Sequence, residues 1–224
     1  MDVNSSFGII SWIVFGALAG YFTSDQELNG SSTSISYQGG SLGAYATYLK
    51  GGFFADLDPD DLEAIYRVNL LTPVQLCRAV LPGMLERGRG HLVNVSSLAG
   101  VAAYPGMAAY ASTKAGLTQF TEVLSLDLKG LPVGTTVVQL GPIPTDMLDH
   151  VNDYAPTRDS FDRGYKLKLI VDIPREQVAG AIVEAVRKGR SHIRLPKRAA
   201  AFPLLAEAPR RISDLLLTGV RHLA

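Results

Sequence analysis

Tyr110 and Lys114 are the two ends of Tyr-Ala-Ser-Thr-Lys, and on a helix a spacing of four puts a phenol and an ammonium on one face. Such a pair does acid–base chemistry. At ~4.5 Å and an effective dielectric of ~20 their attraction is roughly 3.7 kcal/mol, enough to lower a phenol by at most ~2–3 units from about 10. Tyr110 then exchanges protons near neutral pH. Nine tyrosines and seven lysines in 224 residues produce roughly 0.3 such spacings by chance, so context has to decide.

The context is a helix predicted over about 108–129. At 100° per residue, Leu117, Thr121, Leu124 and Leu128 share the Lys114 stripe, which places the lysine on the inward face. In front of this helix stands His91-Leu92-Val93-Asn94-Val95-Ser96, an apolar, β-branched run that reads as a strand buried on both faces. It ends at Ser97, and strand C-termini are where parallel sheets build their sites. Asp58-Pro59-Asp60-Asp61 is a helix start with an N-cap oxygen, a first-turn proline and acids on the positive end of the dipole. That helix adjusts at Thr72-Pro73 and continues toward Arg87–Gly90. A strand at 135–140, a long polar loop, a helix at 175–188 and a strand at 192–195 complete an α/β alternation with a parallel sheet.

Composition narrows the classes. Hydrophobic residues at 47% are too many for disorder, and 21 basic against 21 acidic residues leave no overall field for nucleic acid. The single cysteine, Cys77, closes no intramolecular disulfide and builds no thiolate cage, and the four histidines are scattered, so no metal site is expected. A reducing, cytoplasmic setting follows. The balanced charge conceals a basic carboxyl end with nine Lys and Arg from Arg187 onward, where 201–224 reads as an amphipathic helix.

The chain resembles the short-chain dehydrogenase/reductase family through Val-Asn-Val-Ser-Ser-Leu-Ala-Gly (93–100), Tyr-Pro-Gly-Met-Ala-Ala-Tyr-Ala-Ser-Thr-Lys (104–114), Val-Asn-Leu-Leu-Thr-Pro (68–73) and Val-Val-Gln-Leu-Gly-Pro-Ile-Pro-Thr-Asp-Met (137–147). The resemblance implies a partial Rossmann-like parallel sheet flanked by helices, over 48–200. It implies Tyr110 as general acid or base, Lys114 as cation and ribose ligand, Ser97 as the hydroxyl that polarises a carbonyl, and Asn69 as support for a relay water. Ile143 and Thr145 would contact the nicotinamide of NAD or NADP, and the 146–173 loop would cover an alcohol or carbonyl substrate. Homo-oligomers are also implied.

The family's opening unit, a strand, a glycine-rich turn and a helix for the pyrophosphate, has no match in this sequence, nor has its Asn-Asn-Ala-Gly turn. The implied oxidoreductase is weakened to that extent. Residues 1–47 read as unrelated, whether by fusion or by a shifted frame. Phe7–Phe22 is almost continuously apolar, and Gly-Ile-Ile-Ser-Trp-Ile-Val-Phe-Gly-Ala-Leu-Ala-Gly (8–20) within it resembles the opening of small transglycosylase-associated membrane proteins, so 1–24 is expected as an apolar helix, spanning a membrane, lying at its interface or buried. Residues 25–47, rich in Ser and Gly, read as a linker with a short strand-like stretch at Ser34–Gln38. The alternative class is a non-catalytic, membrane-tethered protein acting through oligomerisation.

Overall fold

The computed structural model describes residues 13–27, 34–144, 148 and 150–197, and the chain divides into two compact units at Thr47/Tyr48. In the first unit β1 (Ile13–Glu27) and β2 (Ser34–Tyr48) form a two-stranded sheet. This corrects two expectations. The apolar helix expected over 1–24 is a strand from Ile13 onward, and the linker expected over 25–47 is a strand from Ser34. An unbroken apolar run carries no period that separates helix from strand; Ile13, Val14, Phe15, Tyr21 and Phe22 favour the pleated state, and Gly16 and Gly20 weaken a helix. Residues 1–12 and the helix expected over 201–224 lie outside the described residues.

In the second unit Asp58 caps α1 (Pro59–Tyr66), its carboxylate accepting from the Asp60 N–H at 2.8 Å. A π turn (Arg67–Leu71) follows, in which the Thr72 N–H reaches the Arg67 carbonyl five residues back, and α2 (Thr72–Glu86) continues the run. Pro73 explains the adjustment. It has no N–H to give to the Asn69 carbonyl, its partner in a regular α-helix, so the ladder is re-spaced where Asn69 sits.

The sheet order is β3 (Gly90–Ser97), β4 (Val133–Leu140) and β5 (His192–Leu195), all parallel, with Val95 opposite Val138 and Val138 opposite Ile193. β4 is the central strand and is buried from Thr135 to Leu140, as a strand covered on both faces must be. On one face Val138 and Leu140 pack with Ile173, Val178, Ala185, Ile193 and Leu195, the middle pair coming with α5 (Arg175–Lys188). On the other lies α3 (Ala108–Asp127), which buries Tyr110, Thr113, Lys114, Leu117 and Thr121. Asn94 of β3 donates to the Thr121 hydroxyl at 3.0 Å and exchanges weaker bonds with the Cys77 thiol of α2. One buried amide thus ties strand to both helices.

The long loop expected over 146–173 contains α4 (Ala155–Lys166). Its apolar stripe, Tyr154, Phe161 and Tyr165, has helical spacing but is diluted by five charged residues and Gly164, which hid it.

Asp58→Ala removes the cap of α1, and urea denaturation should show a loss of about 1 kcal/mol, with Asp58→Asn close to wild type.

Candidate active site

α3 brings Tyr110 and Lys114 together as their spacing requires. The lysine ammonium stands 5.7 Å from the centre of the Tyr110 ring, and both residues are buried, at 5% and 6% exposure. A charge in that position needs a partner. Nζ donates to the Val95 carbonyl at 3.2 Å, and burial pulls the lysine pKa down to about 8.

The geometry of a parallel ladder shows why that carbonyl is accessible. Val137 and Gly141 of the β4 segment direct their N–H groups at Ser191 and Leu195 on the β5 side, so Val138 between them directs its polar groups at β3. Val95 is the register partner of Val138, and of two parallel partners only one faces the other. Val95 therefore turns its carbonyl off the opposite edge of β3, where no strand among the described residues pairs.

Ser97 ends β3. Its hydroxyl accepts from the Ala99 N–H at 3.1 Å, capping a short 3-10 turn over Leu98–Gly100, and donates only weakly to the Leu140 carbonyl at 3.4 Å. That proton is available for redirection at little cost. Ala99 packs in the same cluster as Tyr110, which brings the turn begun by Ser97 beside the phenol. Asn69 is buried to 1% exposure in the π turn, and the π turn packs on α3. A Cβ at Gly116, two residues past Lys114, would meet Leu70 at 3.2 Å. Ile143 is half-buried beside the α5 cluster, and Thr145 lies outside the described residues.

The surroundings of Tyr110 are apolar: Leu49, Ala99, Met107, Val151, Phe161 and Ile170 are buried with it, and Tyr104, Leu148 and Tyr165 pack on them. Tyr104 and Phe161 meet at 5.0 Å between ring centres. Burial pushes the Tyr104 phenol up to about 12, so it stays protonated. Tyr165 is pushed up by burial and by Asp172, whose carboxylate accepts from its hydroxyl at 2.6 Å. α4 is fastened to the approach of α3 through the Thr157 hydroxyl, which donates to the Pro105 carbonyl at 2.7 Å. Gly106 is at φ +74°, and a Cβ there would lie 2.5 Å from the Tyr154 ring, so only glycine lets the cover seat.

A buried tyrosine–lysine pair at the carboxyl end of a parallel strand can move a proton to or from an oxygen held beside it, away from water. Residues 41–155, half of the chain, match the short chain dehydrogenase family. The chain belongs to that family. The match begins at residue 41, inside the segment expected to be an unrelated linker, and so extends the resemblance seven residues toward the amino terminus.

Among relatives, the ketoacyl reductase HetN of Nostoc sp. is 32% identical over 142 residues, which are 63% of this chain and 46% of that protein. An oxidoreductase of Botryotinia fuckeliana, BOA17, is 31% identical over 175 residues, 78% of this chain and 59% of the relative. The chain thus spans about half the length of these relatives. A short-chain dehydrogenase/reductase from Burkholderia phymatum, crystallised with NAD, superimposes with a TM-score of 0.57 at 24% identity, covering 78% of this chain and 65% of that one. At that identity the likeness concerns the fold.

Two features of the site escaped the sequence reading. The Val95 carbonyl has no side-chain signal at all. Leu49 and Tyr104 each come from outside the helical stripe, and the glycines at 51, 52 and 106 around them mark only turns. The cover itself was expected over 146–173, and only its helix was missed, the stripe of Tyr154, Phe161 and Tyr165 being the available signal.

Lys114 binds more protons in the unfolded chain than in the folded one between its folded pKa of about 8 and its ordinary 10.5. Stability therefore rises with pH across that window, by about 3 kcal/mol in total. Lys114→Met, which places no charge there, should be more stable than wild type at pH 7, and urea midpoints measured up to pH 10.5 should converge.

Proposed function

We propose that residues 48–200 form the catalytic region of a nicotinamide-dependent oxidoreductase that interconverts an alcohol and a carbonyl. The observation that carries this reading is the buried Lys114 ammonium beside the Tyr110 phenol, at the end of the strand that presents Ser97.

The residues suit one end of such a cofactor. An ammonium has three N–H donors and Val95 takes one, which leaves capacity for ribose hydroxyls. Tyr110 and the backbone leading through Ile143 to Thr145 would complete this end. Between Leu49 and β3 the described residues hold α1, the π turn and α2 and no strand with a glycine-rich turn, so the pyrophosphate end finds no counterpart there. When bound, the nicotinamide gives or takes the hydride at the substrate carbon.

The chain's own residues manage the oxygen. In the reducing direction Tyr110 gives its phenolic proton to the substrate oxygen as negative charge develops, and Lys114, at 5.7 Å from the ring, favours the resulting phenolate by about 3 kcal/mol. Ser97 turns its hydroxyl proton from Leu140 to the same oxygen. Asn69, in the re-spaced π turn against α3, supports the water that returns a proton. Phe161, Tyr165 and Leu148 exclude bulk water and favour an apolar substrate. NAD and NADP are distinguished at the adenosine end, so the reading covers either.

Leu71, Leu76, Val80, Val123 and Leu126 on and beside α2 and α3 are between 42% and 70% exposed, which supports a homo-oligomer as the working form. Cys77, the single cysteine of the chain, is buried, which suits a reducing compartment.

Titration of the purified chain with NADH and NADPH, followed by cofactor fluorescence, should show binding of one of them below millimolar concentration, and no binding of either would end the reading. Where turnover of carbonyl substrates is found, Tyr110→Phe should abolish it. In light scattering the chain should exceed its monomer mass of 24.0 kDa, and Leu126→Asp should lower it.

A further inference from the structure

The hydroxyl beside the proposed catalytic one is placed differently. Ser96 is buried at 3% exposure and points from β3 to the face that carries α3. Its Oγ donates to the Lys114 carbonyl at 2.8 Å and accepts from the Thr118 hydroxyl at 2.7 Å. In the interior of a helix the carbonyl of residue 114 already has the N–H of residue 118, so the serine meets no unsatisfied backbone need. It adds a second bond to one chosen peptide.

A third contact converges on that peptide. Gly100 closes the turn that Ser97 begins, and a Cβ built on it would lie 2.8 Å from the Ala115 nitrogen and 2.9 Å from the Lys114 carbonyl carbon. The turn therefore lies flat on the Lys114–Ala115 peptide, a spacing only glycine permits. The peptide is gripped by the Ser96 hydroxyl on its carbonyl, itself held by the Thr118 hydroxyl, and by the Gly100 backbone packed against it. From this fixed point the Lys114 side chain reaches Val95 at 3.2 Å, where a slide of a few tenths of an ångström would lose the bond.

We propose that Ser96, acting with Thr118 and Gly100, is the positioning residue of the site: it fixes the Lys114–Ala115 peptide of α3 against β3 and thereby sets where the ammonium and the Tyr110 phenol stand. The proposal rests on the reading of Tyr110 and Lys114 as the acid–base pair. The structure supplies its own control, since Asn94 and Thr121 make a comparable polar contact between the same strand and helix without touching that peptide.

The test follows the titration of Lys114 by NMR on the full chain carrying carbon-labelled lysine, its signal identified by its loss in Lys114→Met. Ser96→Ala and Thr118→Val should let water reach the ammonium and raise its proton affinity about tenfold. Thr118→Ser, which keeps the hydroxyl, and Thr121→Val, which loosens the same helix elsewhere, should leave it unchanged. An unchanged titration in folded Ser96→Ala and Thr118→Val, or an equal shift in Thr121→Val, would overturn the proposal. Thr118 is half-buried and its valine variant isosteric, so a folded sample is secured even where Ser96→Ala unfolds. Because the titration is read without cofactor or substrate, failure of the dehydrogenase reading and failure of this one are distinguishable.

Discussion

The buried bond from Lys114 to the Val95 carbonyl is the constraint around which the second unit is arranged. Removing an ammonium from water costs several kcal/mol, and a carbonyl dipole repays only part of it, which is why the lysine pKa falls to about 8. The remainder has to be met by the packing that surrounds it. Leu117 and Thr121 on the same stripe of α3, and Val137 and Gln139 of β4, are buried almost completely. An ordinary lysine at position 114 would leave for solvent. This one stays because α3 cannot turn without exposing that whole face.

The same constraint explains why so many small residues stand near the site. The phenol and the ammonium must share a water-poor space, and elements carrying larger side chains could not close on it. Gly100 lets the turn after Ser97 touch the helix backbone, Gly106 lets the Tyr154 and Thr157 side chains of the cover come down on the segment before Tyr110, and Gly164 of α4 lets Ile170, beyond the helix end, fold back onto it. Each glycine lowers local stability through backbone entropy and contributes close approach in return. The Tyr165–Asp172 and Thr157–Pro105 hydrogen bonds then hold the cover from both ends. Water exclusion, on which the electrostatics of the pair depend, is thus a property of turns and of the cover as much as of α3.

How much of this the sequence could disclose depended on whether a feature had a period. The inward face of α3 was legible because Leu117, Thr121 and Leu128 repeat with the helix, and β3, β4, β5 and α5 were legible from apolar runs and their periods. The Asp58 cap and the disturbance at Thr72-Pro73 were local chemistry and were read at their positions, though the π geometry at Asn69 was not. β1 failed because an apolar run of that length is aperiodic, and β2 was read as strand-like only over Ser34–Gln38 because Ser and Gly disguise its remainder as a joint. α4 failed because charge diluted its stripe. The Val95 contact is the deepest miss, since it is backbone chemistry and depends on register between two strands that no residue type encodes.

That register joins the chemistry to the edge of the sheet. β3 is an outer strand among the described residues, and an outer strand exposes alternate carbonyls to any backbone that approaches. The carbonyl that holds Lys114 is one of these. The ammonium reaches it from α3 and stands at the same time beside the phenol. Val95 is itself 39% exposed, so the edge at this point is apolar, and the charge behind it is its main polar feature. One side chain therefore answers two demands that the parallel ladder places at the same point: to satisfy a carbonyl that β4 cannot reach, and to bring positive charge to Tyr110.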